Sequence, residues 1–409
     1  METKRAPLVS LGRRSRPQQQ GGVALLATLI LVLALTLILG NIFYRHQIDV
    51  SQATGSLHGD QAVLLAISAE SWARDLLASD NDDLTVDHFG EDWAQAIPLL
   101  PVDGGTIVGC LVDLESRVNI NNFSTYTESS LSAERKANAN NMGLVKLWES
   151  LLQNMDVMVN ENRVTVIIDW LDKGDELIGP AGAEQSDYSG FNPPRFPANT
   201  EIADTAELAA MTGYSLAEVQ RLMPFISALP GPTTININSA PEAVLMALSG
   251  DLGIDFVDMV LDNRPFLTLQ EFYQAIDIRL MVGEPALAIR WPAKLIDVKS
   301  DFFQLNLEVT LGQSRLEVKS IMQRGANRRP VVIRREITVV PAGVTTVPSR
   351  PRYSDDENAE EYAGSRRDRF DDQEEYDREY YLRPICEITN SYTTGDLGSN
   401  INTNANSNN

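Results

Sequence analysis

The pattern of apolar and polar positions divides the chain at once. Twelve Leu, Ile or Val fall within residues 23–39, and no charged residue occurs from Pro17 to Tyr44. At about 0.5 kcal/mol each on an insertion scale, those twelve favour a bilayer by roughly 6 kcal/mol. Residues 22–44 are long enough to cross ~30 Å of hydrocarbon as a helix. Beyond that block Leu65, Ala69, Trp72 and Leu76 recur at spacings of four, three and four, which predicts that the helix continues with an amphipathic stripe. Gly55 and Gly59 interrupt the pattern, and Ser79-Asp80-Asn81-Asp82-Asp83 closes it with turn formers. A continuous helix over 23–79 would be ~85 Å long at 1.5 Å per residue.

Period-two patterns follow. Residues 105–113 read as a strand, and so do 304–310, where Leu305, Leu307 and Val309 alternate with polar residues. Leu311-Gly312-Gln313 reads as a turn, 314–322 as the returning strand and 329–340 as a further one, together an antiparallel meander. Residues 124–296 between them read as mainly helical. The predicted fold class is α+β: a long N-terminal helix on a small antiparallel sheet, interrupted by a large helical insertion.

Composition narrows the function. The formal net charge is −22, from 56 acidic and 34 basic residues, which argues against nucleic acid as main ligand because phosphate binding runs on Lys and Arg. His46, His58 and His88 are the three histidines, and no second His stands at helical spacing, so a zincin helix is excluded. Two cysteines, Cys110 and Cys386, exclude a zinc module and a disulfide-dense scaffold. Neither a Gly-x-Ser-x-Gly elbow nor a phosphate loop occurs, and aromatics are 7% of the chain, too few for a sugar-binding cleft, so the reading is not an enzyme.

Lys4, Arg5, Arg13, Arg14 and Arg16 precede the apolar block against a single Glu2. This bias keeps the N-terminus cytoplasmic and sends everything after Arg45 across the inner membrane. An ordinary signal peptide fits poorly, since the apolar run is too long and no small-x-small site follows it; an uncleaved anchor is a second reading. The third is sharper. Gln18-Gln19-Gln20-Gly21-Gly22 followed by Val23-Ala24-Leu25-Leu26 resembles the prepilin class of leader, which a prepilin peptidase cuts before the apolar helix. Cleavage between Gly22 and Val23 places Ala27 at the fifth mature position, and cleavage after Gly21 places Leu26 there. Most of that class carry Glu at this position.

Five segments, in order over roughly residues 18–340, resemble the type II secretion minor pseudopilin K family (general secretion pathway protein K). The first is the leader, and the lack of the fifth-position Glu is itself a trait of that family. The second, residues 113–123, Asp-Leu-Glu-Ser-Arg-Val-Asn-Ile-Asn-Asn-Phe, resembles its strand-to-insertion junction. Asp169-Trp170-Leu171-Asp172 with Gly182-Ala183-Glu184 and Asp187-Tyr188 resembles a further segment. Residues 232–241, with Ile235-Asn236-Ile237-Asn238-Ser239-Ala240-Pro241, look like its asparagine-rich turn, and Val298-Lys299-Ser300-Asp301-Phe302-Phe303 looks like its return into the sheet. The resemblance implies a non-catalytic subunit at the tip of the secretion pseudopilus, without a carboxylate to neutralise in a subunit beyond it. It implies partners in two other minor pseudopilins, of the I and J types, and through them the major pseudopilin. The implied domains are a leader (1–22), an N-terminal helix (23–80, membrane-spanning over 23–44), a head (81–123 and 297–340), an insertion (124–296) and a tail (341–409). Losing the leader takes five basic residues and one acidic, and moves the formal charge from −22 to −26.

The segment 169–187 carries Asp169, Asp172, Asp175, Glu176, Glu184 and Asp187 among glycines. Oxygen donors on a flexible loop suit Ca²⁺, and the family's insertion binds calcium in this loop, which points to Asp172, Asp175, Glu184 and Asp187 as ligands. A solvated acidic loop is the alternative. Ala203-Asp204-Thr205-Ala206-Glu207 and Leu267-Thr268-Leu269-Gln270-Glu271 each resemble a Thr-capped helix start, and with Ile237–Pro241 they resemble entries to helix-hairpin-helix modules. That raises a minor pilin of a type IV pilus or DNA-uptake system as an alternative. Arg221 is, however, the sole basic residue from Phe196 to Ile254. Residues 341–409, acidic and then rich in Asn, are expected to be disordered, apart from 380–388, which have the composition to dock. In an oxidising periplasm a Cys110–Cys386 disulfide is a further expectation.

Overall fold

The computed structural model describes residues 21–79, 86–95, 97–137, 141–160, 162–275, 287–325 and 329–340. Nearly all of the leader and the whole of 341–409, with Cys386, lie outside them. By contacts the chain forms two units, residues 1–57 and 58–409.

Helix α1 runs Gly21–Ser79 without a break at Gly55 or Gly59. Within the first unit its apolar residues, Val23 to Leu57, are exposed, as a helix made for lipid would leave them. Within the second unit it packs on a sheet. The face that packs is not the predicted one: Ala62, Ala66, Glu70, Ala73 and Leu77 are buried, Leu65, Ala69 and Leu76 flank them, and Trp72 is 45% exposed. Alanines at spacings of four and seven let the helix sit close on the sheet, and their low hydrophobicity hides that face behind the larger neighbouring side chains.

The sheet contains β1 (Ile97–Val102) and β2 (Gly105–Asp113), then, after the insertion, three long strands. Within and around the insertion lie β3 (Val118–Asn119), β4 (Ile226–Ser227), β5 (Ile235–Asn236) and β6 (Ile296–Asp297). The chain then returns through β7 (Phe302–Leu311), β8 (Ser314–Gln323) and β9 (Val331–Val340). The order in the five-stranded antiparallel sheet is β1-β2-β7-β8-β9. Gly104 turns β1 into β2 at φ +83°, where a two-residue Asp-Gly turn needs a residue without a Cβ. Phe303, Leu305, Leu307, Val309 and Leu311 on β7 face α1 together with Ile107, Leu111, Leu316, Val318 and Met322, a core closed at one end by Trp93. Glu70 is the polar member of the helix face. It takes two bonds from Arg335 of β9 (Nε at 2.7 Å, Nη2 at 2.5 Å) and one from the Ser320 hydroxyl (2.7 Å), clamping helix to sheet.

The insertion leaves β2 at Asp113 and re-enters at β7. Its helices are α2 (Glu128–Lys136), α3 (Leu144–Asn154), α4 (Asn162–Leu171), α5 (Gln185–Tyr188), α6 (Leu216–Leu222), α7 (Glu242–Ser249), α8 (Ile254–Asn263), α9 (Leu269–Gln274) and α10 (Leu287–Arg290). They share a second core that includes Trp148, Ile167, Leu245, Phe256 and Trp291. Two short parallel pairings, β3 with β4 and β5 with β6, stitch the insertion's start, middle and end together, which the sequence pattern did not indicate. Thr268 caps α9 as expected, accepting from Glu271 N–H at 3.0 Å. At the other start the cap is Asp204 rather than Thr205, because the Asp204 carboxylate reaches Ala206 N–H (2.9 Å) while Glu207 reaches back to Asp204 N–H (3.1 Å).

Candidate functional site

Two polar sites stand out in the second unit, an acidic loop and a buried junction between sheet and insertion. The acidic loop follows α4. Asp169, fully buried, accepts from Ile178 N–H (2.9 Å) with one oxygen and from Ala183 N–H (2.8 Å) with the other. It is therefore the residue that shapes the loop. Gly182 permits this, since a Cβ there would stand 2.0 Å from the Asp169 carboxylate.

Around it lie the four expected ligands. Asp172 is half-buried and accepts from Gly174 N–H (2.9 Å), and Asp175 is exposed. Asp187, on α5, accepts from Glu184 N–H at 3.0 Å. Glu184 itself is buried, and neither of its carboxylate oxygens has a hydrogen-bond partner. Burial, with the charges of Asp169, Asp172 and Asp175 nearby, pushes Glu184 up to about 7. Burial also pushes Asp169 up to about 6, against the pull of its two N–H donors. A buried carboxylate with both oxygens unspent and three acidic neighbours suits a hard divalent cation, which would supply the missing positive partner. The donor chemistry thus fits Ca²⁺. The side chains do not close round a point: among the described residues no three acidic, His or Cys side chains gather at metal-holding distance.

At the junction the asparagines of the sequence motifs are each spent on distant backbone. Asn119 accepts from Leu229 N–H and Asn121 N–H (both 3.1 Å) and donates to Gly231 O (2.9 Å). Asn121 brackets Ile202, Asn122 brackets Thr233 and Asn238 brackets Phe266, each by bonds of 2.7–2.9 Å to both N–H and C=O. Asn236 donates to Asp87 O (3.0 Å), Ser300 Oγ (2.9 Å) and Asp113 Oδ2 (3.1 Å). Asp113 also receives the hydroxyls of Ser239 and Ser300, the latter at 2.6 Å, and Glu115 N–H at 2.8 Å. Asp87 is paired with Arg324 at 2.7 Å and accepts from Ser300 N–H at 2.7 Å. Three separate sequence motifs, 113–123, 232–241 and 298–303, converge here. Nothing in their spacing announces it, because most of these bonds span from 28 to over 200 residues of chain.

Two glycine-containing stretches that a helix-hairpin-helix module would use to grip phosphate, 211–214 and 250–253, are otherwise engaged: Tyr214 is buried, with its hydroxyl on Arg163 O, and Asp251 is ion-paired with Arg290. Cys110 is buried in β2 and unbridged among the described residues. Gly22, Val23 and Ala27 lie in the exposed first part of α1.

A family model described as type II secretion system (T2SS), protein K matches residues 116–231, and a second with the same description matches 235–289. The type II secretion system protein K of Aeromonas hydrophila is 32% identical over 326 residues, covering 78% of this chain and 97% of that protein. This chain belongs to the type II secretion system protein K family. Its members are non-catalytic structural subunits, minor pseudopilins. The Pseudomonas aeruginosa relative is 28% identical over 333 residues, covering 78% of this chain and 93% of its own. The crystal structure of the GspK-GspI-GspJ complex from enterotoxigenic Escherichia coli contains a similar chain, with TM-score 0.60 and 22% identity, covering 70% of this chain and 99% of that one. The shared fold is the one described above, a long helix on an antiparallel sheet with a helical insertion. In each of the three comparisons more than a fifth of this chain has no counterpart, while the matched protein is used almost to its full length.

Proposed function

We propose that this protein K is anchored by α1 in the inner membrane, passes into a pseudopilus after leader removal, and ends that filament at its tip. The observation that carries this reading is the insertion between β2 and β7, which gives a pseudopilin-type head a second hydrophobic core. Such bulk leaves little room for a subunit stacked beyond it. The uncharged fifth mature position, Ala27, agrees with a subunit that has no successor. Partners of the I and J types follow from the family and from the complex in which the related chain was crystallised. Gold labelling of an epitope-tagged chain in overproduced pseudopili tests the reading. Label at filament ends is the expected result, and label distributed along the shafts contradicts it. Mass spectrometry of the mature N-terminus is expected to find residue 22 or 23 first.

The acidic loop serves in this reading as a structural Ca²⁺ site held by Glu184, Asp172, Asp175 and Asp187, with Asp169 fixing the loop from within. The buried, unpartnered Glu184 supports it. Adding calcium to chelator-treated protein should raise the melting temperature of the insertion, and Glu184→Gln should remove that rise. An unchanged melting temperature contradicts the site.

A further inference from the structure

The acidic loop and the sheet are joined by a stretch of chain without regular structure. Residues 189–204, from the end of α5 to Asp204, form neither helix nor strand. Such a segment has no ladder of its own backbone bonds and is held by what it touches. Its near end hangs on Tyr188, the last residue of α5. That side chain is fully buried, with its ring edge-on to Trp170 (5.2 Å between centroids) and stacked on Phe191 (6.2 Å). The Tyr188 hydroxyl accepts Thr212 N–H at 3.3 Å, and its C=O accepts Phe191 N–H (3.3 Å) and Arg195 N–H (3.1 Å). Further along, Asn199 N–H donates to Trp170 O at 3.0 Å. Tyr188 and Trp170 each follow an acidic residue of the loop, Asp187 and Asp169. The segment is thus tied to the loop twice.

Its far end is seated on the sheet. Asn121 holds Ile202 by both N–H and C=O. Arg334 of β9 donates to Ala203 O and pairs with Asp204 at 2.5 Å. The side chains of that pair are 38% and 42% exposed, so water weakens it and it adds little rigidity alone. The joint beside the loop is incomplete as well. Among the described residues the buried Trp170 Nε1 and Asn199 Oδ1 have no hydrogen-bond partner, and neither has the carboxylate of Glu184. Both ends of the segment therefore have room to tighten, and the one unpartnered carboxylate in the loop is where a cation would act.

We propose that filling the acidic loop with a divalent cation also seats the insertion on the sheet, through Tyr188 and the segment 189–204 to the Asp204–Arg334 pair. The inference rests on the calcium reading above. Glu184 and Asp187, sharing the ion with Asp172 and Asp175, fix α5 against the end of α4. Tyr188 is fixed in turn, and the segment it carries presents Ala203 and Asp204 to Arg334. Coupling between two sites is reciprocal, so breaking the pair on β9 must weaken the loop's hold on calcium. Calorimetric calcium titration of the full chain in detergent, beside Arg334→Ala and Asp204→Asn, is the test. By charge alone, removing the Arg334 cation would tighten calcium binding or leave it unchanged, whereas the coupling predicts binding at least about fivefold weaker. Asp204→Asn keeps an oxygen for Ala206 N–H and should weaken binding to a similar degree, with the double variant no weaker than either single one. Calcium affinity that is unchanged or higher in Arg334→Ala overturns the proposal and leaves the calcium site standing. So do losses that add in the double variant. A chain that binds no calcium before substitution overturns the site and the coupling together.

Discussion

Asn119 shows how much of this fold hangs on single side chains. It is 1% exposed, and its amide satisfies backbone groups about 110 residues away. Truncating it leaves Leu229 N–H, Asn121 N–H and Gly231 O buried or half-buried without partners, at about 1–3 kcal/mol for each such group. Asn119→Ala should therefore lower unfolding free energy by at least about 3 kcal/mol in urea titrations of the full chain. Asn122→Ala, at a half-buried position with bonds to Thr233 alone, should cost less. Equal costs would show that Asn119 is not the hub. The sequence displayed these asparagines only as parts of family motifs. Their physical role was not legible, because a polar residue between apolar ones reads as solvent-facing, and only the folded chain reveals the distant carbonyls and N–H groups that make burial tolerable.

At the scale of elements, legibility followed hydrophobic contrast. β7 and β8 alternate apolar with polar residues, β2 and β9 are rich in β-branched ones, and the residues 105–113, 304–310, 314–322 and 329–340 read as strands fall within two residues of the observed ends. β1 escaped notice because Pro98 and Pro101 break the strand pattern, yet β1 is an edge strand, where proline is permitted. The sheet-facing side of α1 was misplaced for the opposite reason, large exposed side chains outweighing small buried ones. That leads to a pair of expectations for α1. Ala66→Leu forces extra volume between helix and sheet and should cost about 1–3 kcal/mol, whereas Trp72→Ala, 45% exposed, should cost less despite removing far more side chain. Thermal melts that rank the two variants the other way would place the contact face on the Trp72 side.

Across the whole molecule, sheet and insertion meet at carboxylates taken out of water, and this makes their union sensitive to protons. Glu115 is 5% exposed, its carboxylate accepts from Asp301 N–H at 3.2 Å, and its own C=O receives Asn236 N–H from the middle of the insertion. Burial first, and then the adjacent charges of Asp113, Asp301 and Asp87, push Glu115 up to about 9. Asp87 is raised to about 7, burial outweighing its pairing with Arg324. In the unfolded chain both groups release their protons near pH 4. The folded form thus holds protons that the unfolded form has lost, and the associated stability is complete below about pH 4 and drains away as pH rises toward the folded values. Glu70, Asp204 and Glu218 act in the reverse sense. Hydrogen bonds from their arginine partners Arg335, Arg334 and Arg163, with backbone and hydroxyl donors, overcome burial and hold them below the usual carboxylate range, so their contribution fades as pH falls through that range. Above pH 7 Asp87 has largely titrated, and Glu115 contributes a slope of up to about 1.4 kcal/mol per pH unit, beside Asp113, which burial also raises. Urea titrations with chelator present should therefore show stability falling from pH 7 to 9, and Glu115→Gln, which keeps the shape without the titration, should flatten that fall. A slope unchanged by the substitution would mean that Glu115 is ionised in the folded protein and that another buried carboxyl, such as Asp113, sets the fall.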